Sequence, residues 1–172
     1  MPKLNASAKL FISLVVLAGL GTLISGLVRW DCKDLVRFFS FLVIAALASR
    51  LKVSLPGVNG NMSVNLPFLL IAVVELSLGE AVVIAAVSTL VQSLATGNRK
   101  LNPVQALFNT STLVLSVGVG AMVFLRASAM TSIAQKSLLI AMSGAAYLLA
   151  NTLPVAAIIS LTEQKNVVKL WH

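Results

Sequence analysis

The chain has 172 residues, of which 58% are hydrophobic and only 10% charged, and five acidic residues are too few to coat a water-soluble globule. The single cysteine and the single histidine exclude an intramolecular disulfide and a metal site built from three or four Cys and His ligands. The formal charge of +8 comes from basic residues that lie between apolar runs, so it predicts contacts with lipid headgroups and no nucleic-acid partner.

The apolar runs predict an all-α fold, a polytopic transmembrane bundle of about six helices. Helices that cross a bilayer need about 20 apolar residues, and these runs do not alternate apolar and polar residues as barrel strands do. In chain order the predicted helices are Leu10–Val28, Leu35–Leu51, Val64–Leu78, Ala81–Leu94, Pro103–Leu125 and Ser137–Thr162.

Local signals refine these helices. The first apolar run is longer than the roughly 7–15 residues of a signal peptide, so it predicts a retained helix, and its small residues predict close helix packing. The Pro-Gly and Asn-Gly steps of residues 54–61 predict a structured loop. The short third and fourth helices predict a hairpin in which Gly79 caps the third helix and Glu80 is a solvated residue of the fourth. Pro154 predicts a kink in the sixth.

The loops also predict an orientation. Of the 13 basic residues, alternation of six spans places eight on one side and five on the other. The positive-inside rule then predicts a multi-pass membrane protein with both termini in the cytoplasm. The larger set is Lys3, Lys9, Arg50, Lys52, Arg99, Lys100, Lys165 and Lys169, and the smaller set is Arg29, Lys33, Arg37, Arg126 and Lys136.

Glu75 is the first candidate functional residue, because it lies in an otherwise apolar run. A carboxylate in hydrocarbon is costly unless it has a partner or reaches water. Two interpretations stay open. Glu75 reaches water near the end of the hairpin, or it faces the bundle interior and pairs with Arg37, Arg126, Lys136 or a ligand cation.

Asparagines are the other candidates. Asn109 and Asn151 lie within predicted helices, where an amide needs hydrogen-bond partners, either on another helix or in a small-molecule pocket. Asn61 and Asn65 flank the start of the third helix, where Asn65 or Ser63 could cap it. We expect a ligand pocket between helices, near residues 56–63, Glu75, Asn109 and Asn151. No catalytic serine elbow, phosphate loop or internal histidine is present, so neither an enzyme nor a cofactor is expected.

Short motifs from residue 41 onward resemble two families. The chain resembles the substrate-binding S components of energy-coupling-factor vitamin transporters. It also resembles the membrane-embedded sensor regions that precede HD-GYP or GGDEF signalling domains in bacteria. The motifs are alanines at 45, 46 and 48, Leu55-Pro56-Gly57, Ser63-Val64-Asn65 and Gly79, and, for the sensor regions, Leu107-Phe108-Asn109, Asn151-Thr152, Thr162-Glu163 and Trp171.

The resemblance implies a single membrane domain over residues 1–172. A first helix and interface loop occupy 1–34, and an S-component-like core occupies 35–172, with its C-terminal end cut short. It implies a sensory module of the bacterial inner membrane that binds a small molecule and signals through helix repacking to a cytoplasmic domain or partner. Two alternatives remain: an S component with a transporter partner, and a non-catalytic membrane assembly subunit. S components often carry a Gly-Pro-x-x-Gly turn, and this chain has Gly-Glu-Ala-Val at residues 79–82.

Overall fold

The computed structural model describes residues 5–54, 61–63, 65–94, 102–126 and 132–163. Within these ranges the chain forms six helices, which confirms the predicted all-α bundle. The helices are α1 (Ala6–Val28), α2 (Leu35–Arg50), α3 (Leu66–Glu75), α4 (Leu78–Leu94), α5 (Pro103–Arg126) and α6 (Ile133–Glu163). Most boundaries lie within a few residues of the predicted ones, and α6 continues through Pro154.

A small antiparallel ribbon connects α2 to α3, where the sequence predicted only a loop. Its strands are β1 (Lys52–Ser54) and β2 (Asn61–Ser63), with Lys52 opposite Ser63 and Ser54 opposite Asn61. Strands of three residues are too short to show an alternating pattern, which explains why the sequence did not predict them.

The break between α3 and α4 differs from the prediction. We expected Gly79 to cap the third helix, but α3 ends at Glu75 and Gly79 lies in the first turn of α4. Ser77 caps the start of α4. The Glu80 carboxylate accepts from the Ser77 N–H at 2.9 Å and from its hydroxyl at 2.8 Å. In return, Ser77 Oγ accepts from the Glu80 N–H at 3.4 Å. This is the reciprocal capping box of a Ser-x-x-Glu sequence.

The expectation that Glu80 is solvated was therefore wrong. Its relative exposure is 4%, since the carboxylate folds back over the helix end to satisfy two donors of Ser77. The Ser-x-x-Glu spacing at residues 77–80 was the signal that could have identified this arrangement.

The core is centred on α4, which contacts α1, α2, α3 and α5. Residues of α4 with no exposed surface include Ala81, Val82, Ile84 and Ala85. The fifth helix, α5, lies beside α4 and also contacts α1, α3 and α6.

Glycines allow α1 to approach its neighbours closely, as its small residues predicted. A Cβ atom added to Gly79 of α4 would lie 2.6 Å from the carbonyl oxygen of Gly26 in α1. A Cβ atom added to Gly19 would lie 2.6 Å from Cβ of Ser111 in α5. Both distances are far below van der Waals contact, so any larger residue would separate these helices.

The outer surface is apolar. Among the described helices, Ala6–Val28, Pro103–Leu125 and Ile133–Thr162 are long and apolar enough to cross a membrane. Their outward leucines and isoleucines are strongly exposed, with Leu17 at 65% and Ile133 at 84%. Apolar surface of this extent is what a bilayer covers and what a water-soluble monomer rarely shows.

Candidate functional site

Two connections meet at the end of the bundle where α1 finishes. Residues 29–34 join α1 to α2, and Leu76 and Ser77 join α3 to α4. Between them lies a groove of about 280 Å³, called here the polar groove. Its lining consists of Asp31, Lys33, Asp34, Arg37, Glu75, Leu76, Ser77 and Glu80. Four of the chain's five acidic residues therefore lie in one place.

An ion pair crosses the groove. The Arg37 guanidinium donates from Nη2 to Oε2 of Glu75, so Arg37 is the partner among the three that the sequence suggested. The two side chains are 43% and 46% exposed, which means that Glu75 also reaches the surface. Glu75 is the last residue of α3, where the helix dipole disfavours a negative charge. The guanidinium offsets that charge and ties the end of α3 to the start of α2.

The remaining surface charges of the groove have local partners. Asp34 caps α2 by accepting from the Arg37 N–H at 3.0 Å. Asp31 lies 3.5 Å from Lys33 in a pair whose side chains are 65% and 85% exposed. Pairs this exposed contribute about 0–1 kcal/mol, so a ligand can replace them at little cost.

Cys32 lies beside the groove, next to Glu80. The pKa of the Cys32 thiol is raised from its ordinary value of 9.0, first by its hydrogen bond to the Glu80 carboxylate, then by burial and by the negative charge of Glu80. The thiol therefore keeps its proton at neutral pH and is a weak nucleophile. In the part of the chain that the structure describes, no group of three His, Cys, Asp or Glu residues could hold a metal ion.

Trp30 places the groove at the depth of the membrane interface. Its ring packs edge-on against Phe38 with centroids 5.3 Å apart, and 39% of the residue is exposed. Tryptophan at the end of an apolar helix, next to charged residues, is typical of the boundary between hydrocarbon and headgroups.

The family model named MASE9, a membrane-associated sensor domain family, matches residues 8–172. The chain belongs to the MASE9 family. The match begins inside α1 and so includes both helices that flank the first connection of the groove. No curated protein and no solved structure matches this chain. The expectation of a membrane sensor module is confirmed, whereas the S-component fold and the signalling domains stay predictions.

Asn65 of this MASE9 chain lies at the opposite end of α3 from Glu75. It precedes the helix, is only 3% exposed, and donates from Nδ2 to Oγ of Ser88 in α4 at 2.9 Å. The predicted capping role is wrong for its side chain, because the amide points to α4 and makes no cap hydrogen bond. A ten-residue helix is about 15 Å long, so Asn65 is remote from the groove.

Two other predicted residues, Asn109 and Asn151, do not line the groove either. Asn109 is exposed on α5 and Asn151 is half-buried on α6. The backbone of Asn61 opens β2, and its side chain lies outside the described part of the chain. The structure thus brings together Glu75 and residues that the sequence left separate. Alternating topology was the signal for this, because it places the α1–α2 and α3–α4 connections on the same side of the membrane.

Proposed function

We propose that the polar groove is the input site of this MASE9 sensor module. A small molecule that binds Arg37 or Glu75 replaces the ion pair, and α3 then changes its packing against α6. In an inner membrane with both termini cytoplasmic, the groove faces the opposite side, and α6 carries the response to a cytoplasmic domain or partner.

The position of α3 supports this proposal. Its last residue is held to α2 through the Arg37–Glu75 pair. Helix α3 also lies against α6, and Leu70 in its middle faces Gly144, where an added Cβ atom would lie 3.6 Å from Leu70 Cδ1. The chain after α3 is extended at Leu76, so α3 is not rigidly continuous with α4. Small sliding of packed helices is an established route for such responses.

The energy of the ion pair and the free energy of a typical sensor response are compatible with this proposal. A half-exposed ion pair is worth about 0–1 kcal/mol, whereas coupling between two sites in a sensor is typically about 1–3 kcal/mol. A ligand that makes hydrogen bonds to charged groups can therefore supply enough energy to displace the pair. The groove volume lies near the lower end of the roughly 300–1,000 Å³ of small-molecule sites.

The proposal gives the groove no catalytic role. Asp34 and Glu80 are committed to helix caps, and Glu75 is committed to Arg37. The importer and assembly-subunit alternatives stay predictions.

Hydrogen–deuterium exchange of the intact chain in lipid nanodiscs tests the coupling. Arg37→Gln removes the ion pair, as a bound ligand would. We expect faster amide exchange in the first turn of α2 and in α3, and also in α6 around Gly144. The double variant R37E/E75R restores an ion pair across the same groove, and we expect its exchange to return toward that of the wild type.

A second variant tests the route. Leu70→Ala shortens the side chain that faces Gly144 of α6, so Arg37→Gln should no longer alter α6 in this background. If Arg37→Gln changes exchange only around the groove in the wild-type background, the groove is not coupled to α6 and the proposed function is wrong.

A further inference from the structure

We infer that the ligand of the polar groove is the zwitterionic headgroup of an aminophospholipid whose acyl chain lies along the outer face of α2. This rests on the proposed function, since it names the ligand class of the same groove.

The first observation is a shallow apolar hollow on α2, called here the α2 trough. Its volume is about 620 Å³, and its lining consists of Leu35, Val36, Phe39, Ser40, Val43 and Ile44. Val36 is 77% exposed and Val43 is 54% exposed, so this face is turned away from the bundle. A concave, lipid-facing strip of branched and aromatic side chains fits an acyl chain.

The second observation is that the trough and the groove share a border. Arg37 lines the groove, while its neighbours Val36 and Ser40 line the trough. Residues three apart on a helix are adjacent on its surface, so Arg37 lies beside the trough. The Trp30 ring places this border at headgroup depth.

The order of charges matches the order of groups in the lipid. From the acyl chain outward, an aminophospholipid presents glycerol, phosphate and then ammonium. Arg37 on α2 borders the trough and can hold the phosphate through its guanidinium fork, and Glu75 on α3, paired with Arg37 in the groove, can receive the ammonium. The exposed Lys33 supplies a second cation for the phosphate.

The groove also discriminates between headgroups. A primary ammonium donates three hydrogen bonds to carboxylates, whereas the trimethylammonium of phosphatidylcholine donates none. Phosphatidylglycerol carries a net negative charge and no ammonium. Four carboxylates against Lys33 and Arg37 leave the groove with an acidic excess that disfavours such a lipid.

Native mass spectrometry of the intact chain in detergent measures the preference with dioctanoyl lipids. We expect phosphatidylethanolamine to bind about tenfold more tightly than phosphatidylcholine or phosphatidylglycerol, a difference of about 1.4 kcal/mol. Soluble phosphoethanolamine, which lacks chains, should bind at least about tenfold more weakly than the lipid. Equal binding of phosphoethanolamine would show that the ligand is a soluble zwitterion and would overturn the lipid assignment.

Three variants locate the site. Arg37→Gln and R37E/E75R should both lose the preference for phosphatidylethanolamine, because the double variant keeps an ion pair but places a carboxylate where the phosphate lies. Val43→Ser in the trough should weaken all three lipids, while Leu20→Ala on the outer face of α1 is the control that should weaken none. An unchanged preference in the double variant would overturn the inference.

The outcomes separate the inference from the proposed function. If the three lipids bind alike while Arg37→Gln still alters exchange in α6, the lipid assignment fails and the input site stands. If the preference is observed and α6 does not respond, the groove is a lipid site without a sensory role.

Discussion

The α3–α4 hairpin makes buried contacts, called here its closed side, and exposed polar contacts, called here its open side. On the closed side, Asn65 reaches Ser88 through a buried hydrogen bond, and Gly79 rests against the backbone of Gly26. On the open side, Glu75 and Arg37 form an ion pair with nearly half of each side chain exposed. Both sides carry polar groups in an apolar chain, but only the open side can exchange its partners for a ligand.

The difference teaches how to interpret polar residues in membrane helices. Burial of Asn65 with a partner gives it a structural role, because an unsatisfied amide in the interior would cost about 1–3 kcal/mol. Exposure of Glu75 lowers the cost of breaking its pair. The accessible pair, and not the most deeply buried polar group, is therefore the better candidate for binding.

The largest effect should come from forcing the closed side apart. Gly79→Ala places a Cβ atom 2.6 Å from the Gly26 carbonyl oxygen, which is backbone and cannot move aside alone. We expect unfolding in detergent to become easier by about 1–3 kcal/mol. Gly21→Ala is the matched control, because a Cβ atom there meets nothing within 4 Å, and alanine favours a helix over glycine by up to about 1 kcal/mol. Equal stability of the two variants would contradict the tight α1–α4 contact.

A smaller loss is expected at the other closed contact. Asn65→Ala removes the amide that donates to Ser88 and leaves a cavity, so we expect the free energy of unfolding to fall by about 1–3 kcal/mol. The lower half of that range is expected, because the Ser88 hydroxyl keeps its hydrogen bond to the Ala85 carbonyl. Asn109→Ala is the exposed counterpart and should change stability by less than about 0.5 kcal/mol. Thermal unfolding of both variants measures the contrast. If Asn109→Ala proves the more damaging of the two, the assignment of Asn65 to the closed side is wrong.

The helices themselves could be predicted from the sequence, because long apolar runs bounded by polar residues have few other structures available. The small residues of α1 also predicted close packing, which Gly19 and Gly26 confirm. The exact residues at which α3 ends and α4 begins could not be predicted. A glycine that could end one helix and a Ser-x-x-Glu sequence that could begin the next are competing signals at residues 77–80.

The groove was harder to predict than the helices. Glu75 stands out in its apolar run, but Asp31, Asp34 and Glu80 look like ordinary helix-end residues. Their convergence depends on α2 and α3 lying side by side, and that adjacency is a tertiary fact that the order of elements does not fix. The sequence offered both Asn65 and Glu75 as ligand-binding candidates, whereas burial separates them.

The variant with the smallest expected change in stability tests the contact between Glu80 and Cys32. Glu80→Gln keeps the capping box, which accepts Gln as well as Glu, but removes the negative charge beside Cys32. The pKa of the thiol should then fall toward 9.0. Each decrease of one unit in this pKa raises the thiolate fraction at pH 8 about tenfold. We therefore expect iodoacetamide to modify Cys32 faster in Glu80→Gln than in the wild type.

The pH dependence of stability supplies an independent check of the same contact. The folded wild-type chain holds the Cys32 proton above pH 9.0, where the thiol of the unfolded chain has lost it. The unfolded state therefore binds fewer protons in that range, and stability decreases as the pH rises past 9. Glu80→Gln should show a smaller decrease. An identical decrease, together with an unchanged alkylation rate, would mean that Glu80 does not hold the thiol.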